Sequence, residues 1–426
     1  MGVFTRATAS RSRTRTITLS GLAILGASAL VLTGCSSSGG GEGDTSNKPA
    51  GDLSLKIGTL LPQTGQLAFL GPPEEAGVGL AVKEVNDADL GIDIDVSYGD
   101  SGDPDNKAFA TTIPKLLGEN VSAIIGAASS GVTKLVIDEV TGAGVIQFSP
   151  ANTSADFTTW DDNGLFWRTA PSDVLQGEVL GNLIAEDGNE TLGILYLNDS
   201  YGTGLAGFTK EAFEATGGSV VGEESYNAGD TSFDAQISSL KAQNPDAIAL
   251  IAFEETKTIV PALSGFPSDK LYFVDGNLAD YSADFPAGTL TGAKGTLPGL
   301  DTADLGDFTD RLQEFWQGEG NEELKDYSYA AESYDAVILI ALASLAANST
   351  EGADIAEKLQ EVSGGSGDGE KCTTFKECAD LIIDGKTADY DGNSGPVTFD
   401  ENGDPTEATI GIFQYKEDNK YERIAN

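Results

Sequence analysis

From Leu53 onward, short apolar runs of strand length alternate with segments of helix length, and the alternation is run through twice. LSLKIGTLLP (53–62) reads as a strand entering a loop. Residues 74–87 carry helical spacing at Ala76, Leu80, Ala81 and Val85. A strand over 92–101, a helix over 106–120 disturbed at Pro114, a buried strand and loop over 121–131 and another over 145–154 follow. At Thr191 the rhythm restarts. Residues 191–226 give strand, small-residue loop, helix and strand, echoing 55–98. A helix and strand over 237–253 and a strand over 270–277 continue it. Parallel strands need long crossovers, and helices supply them. The fold class is therefore α/β: two similar Rossmann-like lobes with parallel central sheets.

After Leu297 the pattern turns helical, over 308–320 and 329–348. The second of these is apolar enough to resemble a membrane span, but Glu332 and Asp335 mark it as a core helix. The segment NSGPVTFDENGDPTEATIGIFQYKED reads as two strands joined in a hairpin at Asn402-Gly403.

Charge narrows the function. The chain holds 67 Asp and Glu against 25 Lys and Arg, a net charge of −42. Such a surface repels phosphate backbones, which excludes nucleic acid as a partner. There is no histidine. Ser-His and Cys-His nucleophiles and the commonest zinc ligand are thereby absent. An enzyme would have to work with carboxylates or lysine. Glu254 and Glu255 are the nearest such pair, but neighbours on a strand point to opposite faces. No enzyme activity, cofactor or metal is expected.

Residues 1–34 are basic and acid-free, with an apolar core at 17–32 ending in Leu-Thr-Gly-Cys. That order is a secretory signal peptide. Its end resembles the lipobox of bacterial lipoproteins, in which Cys35 receives lipid and becomes the first residue. Residues 35–52, rich in Ser and Gly, form a flexible tether. With Cys35 assigned to lipid, Cys372 and Cys378 remain, and outside the cell they can pair. Two free thiols, or half of a metal site, are the competing readings.

Four stretches carry a resemblance: IGTLLPQTGQLAFLG, AIIGAASSGVTKLVIDEVTGAGVIQFSPANTS, LNDSYGTGLAGF and GPVTFDENGD. In this order the chain resembles the type I periplasmic binding proteins, and among them the branched-chain amino-acid receptors of ABC importers, in lipoprotein form. The resemblance covers residues 53–426. It implies two lobes joined by a three-stranded hinge, with crossings near 169–172, 297–300 and 392–397. Lobe 1 would be 53–171 plus 300–392, and lobe 2 would be 172–299 plus 393–426. It also implies a monomer on the outer face of the cytoplasmic membrane, extracellular in a Gram-positive-type bacterium, that passes its ligand to permease subunits. A sensor for a membrane partner, a receptor for urea or short amides, and an extracellular carboxylate-dependent hydrolase are the alternatives.

In doubly wound sheets, ligands lie outside the carboxyl ends of the strands. Two loops of the first lobe stand there, 126–131 and 149–153. Their small residues admit a ligand to the backbone, and a helix N-terminus follows the first. Serine caps and an ordinary turn are the alternative reading of the two loops. The resemblance places the α-carboxylate of an amino acid on Ser129, Ser130, Ala151 and Thr153. It puts the ammonium on Asp275, with Tyr201 covering the ligand and Leu70 and Phe253 beside it. Glu254 and Glu255 compete with Asp275. The family often has an aromatic residue where Leu70 stands. Ser129 takes one position of a cysteine pair found in the Gram-negative receptors.

Overall fold

The computed structural model describes residues 52–425. The leader, Cys35 and residues 35–51 of the tether lie outside the described residues.

The first sheet is wholly parallel and runs in the order β2-β1-β3-β4-β5. Its strands are β1 (Leu53–Leu60), β2 (Ile92–Ser97), β3 (Ala123–Gly126), β4 (Ile146–Ser149) and β5 (Phe166–Arg168). The connecting helices are α1 (Gly71–Ala88), α2 (Phe109–Gly118) and α3 (Ser130–Gly142). Every residue of β3 and β4 is buried, as a sheet covered on both faces requires. The chain then leaves for the second sheet through α4 (Asp173–Glu186), β6 (Thr191–Leu197), α5 (Ser200–Ala215), β7 (Ser219–Tyr226) and α6 (Asp234–Ala242). It continues through β8 (Ala247–Ile251), α7 (Thr256–Ala262), β9 (Leu271–Phe273) and β10 (Lys294–Pro298). The order β7-β6-β8-β9-β10 repeats the order of the first sheet strand for strand. The echo between 55–98 and 191–226 is thus a repeated topology.

The chain returns to the first sheet with α8 (Phe308–Gly318), α9 (Ala330–Ala347) and α10 (Gly352–Val362). A small three-stranded sheet follows: β11 (Glu370–Cys372), α11 (Phe375–Ile383), β12 (Ala388–Gly392) and β13 (Gly395–Pro396). A disulfide joins Cys372 to Cys378, fastening β11 to α11. The last strands, β14 (Ile410–Tyr415) and β15 (Tyr421–Ala425), extend the second sheet beside β10 in antiparallel register.

Helix α9 is buried from Ala330 to Leu345 and is a core helix. It packs against α1 at Gly77, where a Cβ would lie 2.2 Å from the Ala330 carbonyl oxygen. Its first two turns collect the three segments that cross between the sheets. Thr169 Oγ1 donates to the Glu332 carbonyl at 3.0 Å. A Cβ at Gly299 would lie 3.1 Å from Glu332 Oε1. Asp335 accepts hydrogen bonds from Tyr390 Oη (2.7 Å), the Asn393 N–H (3.0 Å), and the Ser394 N–H (2.7 Å) and Oγ (2.5 Å).

Two expectations are corrected. Helix α2 runs through Pro114. A proline there costs roughly 3 kcal/mol. Burial of Phe109, Ile113 and Leu116 in one cluster offsets it at about 1.5–3 kcal/mol each. The reversal at Asn402-Gly403 forms, with the Asp400 N–H donating to the Asp404 carbonyl at 2.9 Å and the Thr406 N–H to the Thr398 carbonyl at 2.8 Å. Its arms pair only at the Phe399–Pro405 bridge, and β14 pairs with β10 and β15 instead. Residues 397–409 are spent on the third crossing, where Asp404 is drawn to Arg168. The real terminal hairpin turns at Lys416–Lys420, with Asn419 left-handed at φ 60°.

Arg168 is fully buried. Its Nε and Nη2 donate to the two Asp404 carboxylate oxygens at 2.6 and 2.8 Å. Removing one member of a buried pair strands the other charge, at about 3–5 kcal/mol. Asp404→Ala should lose that much in urea-unfolding stability. Glu332 gives a second test. Burial pushes its carboxyl from 4.5 up to about 8. A raised acid contributes stability that is complete below pH 4.5 and is lost as pH rises through about 8. The difference in stability between Glu332→Gln and the wild type should therefore move in the variant's favour across that window. Denaturant midpoints at a series of pH values check it.

Candidate functional site

The matching strand orders place equivalent strand ends opposite one another. Loops after β1, β3 and β4 of the first sheet face loops after β6, β8 and β9 of the second. Between them lies a cavity of about 20 Å³, roughly the room one water molecule needs. From the first sheet it is lined by Leu67 and Leu70, by Ala128, Ser129 and Ser130, and by Ala151 and Thr153. From the second sheet come Tyr201, Phe253, Asp275 and Gly276, and Tyr329 closes it from the start of α9. All eight residues expected to hold a ligand stand around this one space.

The two loops of the first sheet are fastened to each other. Ser149 Oγ donates to the Ala127 carbonyl at 2.7 Å and accepts the Asn152 N–H at 2.8 Å. Asn152 Nδ2 donates to the Ala128 carbonyl at 2.8 Å. Arg168 steadies the second loop by donating from Nη1 to the Ser154 carbonyl at 2.7 Å. Ser129 is the N-cap of α3 and accepts the Val132 N–H at 3.3 Å. Ser130 Oγ accepts the Ser154 N–H at 3.4 Å. The N-terminus of α3, with its positive end, opens at the cavity wall.

The opposite wall is acidic. Asp275 Oδ1 accepts from Tyr201 Oη (2.6 Å) and Gln176 Nε2 (3.1 Å), and its Oδ2 accepts from Tyr329 Oη (2.7 Å). Burial holds its carboxyl above the usual range, and the three donors offset only part of that rise. Burial, with the Asp275 charge beside them, pushes both tyrosine hydroxyls well above theirs, so both remain donors. Phe253 stacks on Tyr201 with ring centroids 5.4 Å apart. Glu254 pairs with Lys257 at 2.5 Å, and Glu255 accepts the Phe253 N–H at 3.1 Å. Neither lines the cavity.

Tyr329 and Gln176 were not among the residues singled out by sequence. Tyr329 is left-handed at φ 59°, and from that strained position its hydroxyl reaches Asp275. The tyrosine hydroxyls at the start of α9 were the one available signal.

A match to the periplasmic binding protein family spans residues 54–419. The chain belongs to that family. It is a binding protein, not an enzyme, and its α/β fold is that of the type I periplasmic binding proteins. A leucine-, isoleucine-, valine-, threonine- and alanine-binding protein of Pseudomonas aeruginosa is 32% identical over 192 residues, 44% of this chain and 51% of that one. That alignment spans about half the length of the relative. A Leu/Ile/Val-binding protein homolog of Brucella suis is 25% identical over 86% of this chain and 92% of its own. Among solved structures, a branched-chain amino acid substrate-binding protein from Streptococcus pneumoniae in complex with isoleucine superposes with a TM-score of 0.69. It is 23% identical over 88% of this chain and 100% of that chain. A solute-binding protein from R. palustris in complex with benzoate superposes at 0.66, with 19% identity over 87% and 96%.

The helices α3 and α5, one from each side of the cavity, meet at their N-termini. Asp199 Oδ1 caps α5 by accepting the Gly202 N–H at 2.8 Å. A Cβ at Gly131, in the first turn of α3, would lie 2.7 Å from Asp199 Oδ2. Ser154 Oγ donates to the Ser200 carbonyl at 3.0 Å across the same seam. Gly131→Ala should push the Asp199 carboxyl aside and weaken its cap on α5, at about 0.5–2 kcal/mol. Urea unfolding should report the loss.

Proposed function

We propose that this chain is an extracytoplasmic solute-binding lipoprotein of an ABC importer. It captures an amino acid, branched-chain or related, by closure of its two lobes and delivers it to the membrane permease. The observation that carries this reading is the polarity of the cavity. A helix N-terminus and hydroxyl-bearing loops stand on one side, and a buried carboxylate stands on the other. The α-carboxylate would take the first side and the ammonium would take Asp275. Leu67, Leu70 and Phe253 supply an apolar wall for the side chain. Relatives whose names specify leucine, isoleucine and valine support the same ligand class.

Closure excludes water, so each polar contact strengthens as the lobes meet. The lobes would be 53–171 with 300–392, and 172–299 with 393–426, hinged at the three crossings that α9 gathers. Lipid on Cys35 would hold this monomer on the outer face of the cytoplasmic membrane, within reach of its permease. Two acyl chains or more are needed for stable anchoring.

Truncating one partner of a buried charge pair costs about 2–5 kcal/mol. Asp275→Ala should therefore weaken amino-acid binding by at least about 30-fold while the circular-dichroism spectrum is kept. Isothermal calorimetry with leucine, isoleucine and valine reads the loss. Unchanged affinity for whichever of them binds the wild type would reject the assignment.

A further inference from the structure

A second buried acid stands behind the cavity. Asp173 is the first residue of α4 and fully buried, with no hydrogen bond to either carboxylate oxygen. Its N–H donates to the Thr153 carbonyl at 2.6 Å. Thr153 lines the cavity, and its hydroxyl is the side-chain donor that acts on the Asp173 carboxyl, without a hydrogen bond of good geometry between them in this arrangement. The charged groups facing Asp173 are Asp275 after β9, Asp199 at the cap of α5, and Arg168 on β5. The hydroxyls of Tyr201 and Tyr329 complete its surroundings. Arg168 already spends two of its nitrogens on Asp404. An entering amino acid brings one ammonium for two acids.

The two acids are not equivalent. Asp275 accepts three hydrogen bonds and Asp173 accepts none in good geometry. Donors stabilise the charged form of a carboxyl, and burial without donors stabilises the neutral one. Paired acids whose surroundings differ in this way divide their roles. The N-terminus of α4 favours an anion at Asp173, but that attraction is small beside the cost of burying an unpaired charge.

The geometry points to Asp173 as a positioning residue that works as a neutral acid. Its carboxyl O–H donates to Thr153 Oγ1 and leaves the Thr153 hydrogen free to point at the ligand's carboxylate. Were Asp173 ionised, it would take the Thr153 hydrogen for itself and the ligand would meet a lone pair. Burial, with the Asp275 charge second, pushes the Asp173 carboxyl well above its usual range, in agreement. The inference rests on the amino-acid reading of the cavity for its ligand, but the protonation of Asp173 is measurable without one.

The test compares wild type, Asp173→Asn, Asp173→Ala and Asp275→Asn in the full folded domain. In the ligand-free protein at pH 7, the wild-type-minus-D173N infrared difference should contain one protonated carboxylic C=O band. The wild-type-minus-D275N difference should contain an ionised carboxylate instead. With L-leucine as the probe, D173N should bind within about threefold of the wild type, D173A about tenfold more weakly, and D275N at least about 30-fold more weakly. Loss of binding in D173N as large as in D275N would overturn the inference. So would an ionised carboxylate in the D173N difference spectrum, or a D173N chain that fails to fold. If L-leucine does not bind the wild type, that ligand is ruled out for the cavity, and the infrared arm still decides Asp173.

Discussion

A carboxylate taken out of water costs several kcal/mol unless donors replace its hydration. Asp275 gains its third donor only when the two halves are together. Tyr201 and Gln176 belong to the second sheet and its helices, whereas Tyr329 comes from the helix that packs under the first. The same closed arrangement seals Leu67, Leu70, Ala128 and Ala151 into the core of the second half. The acid is therefore a reason for the halves to meet, and under the proposed function it would also recognise the ligand's ammonium.

Helix α9 ties that acid to the joints. Its first residues hold Tyr329, Glu332 and Asp335 within two turns. One reaches the cavity, one touches two crossings, and one binds the third. Under the proposed closure, a rigid buried rod joining site to crossings would turn a contact of ångström scale into a rotation of lobes. The twofold repetition of strand order supplies the rest, because it points two sets of strand ends at one space.

Much of this was legible in the residues. Strand-to-helix alternation is local, so β1 to β4 and β6 to β9 could be read from apolar runs and small-residue loops, whereas the short β5 and β10 could not. The loops at 126–131 and 149–153 follow from strand ends, and Asp275 sits directly after an apolar run. Tyr329, Gln176 and Asp173 were not legible, because they act from the starts of helices, Tyr329 on the cavity itself and the other two on Asp275 and Thr153 in its wall. Gln176 lies 99 residues from its partner Asp275, and Tyr329 lies 54 from it. Nothing within a helix period marks them. At Asn402-Gly403 the local turn signal is sound and the turn forms, but the long strands expected on either side do not pair with each other, because a distant arginine holds Asp404 and β14 joins β10.

That arginine has a consequence for how the molecule is made. Arg168 completes the edge of the first sheet, yet its counter-ion arrives 236 residues later, almost at the end of the chain. A chain that stops short of residue 404 keeps the carbonyl partners of Arg168 but leaves its charge without a counter-ion. The edge of the first sheet is thereby completed by a residue from the far end of the sequence, and the two ends of the described chain stabilise each other.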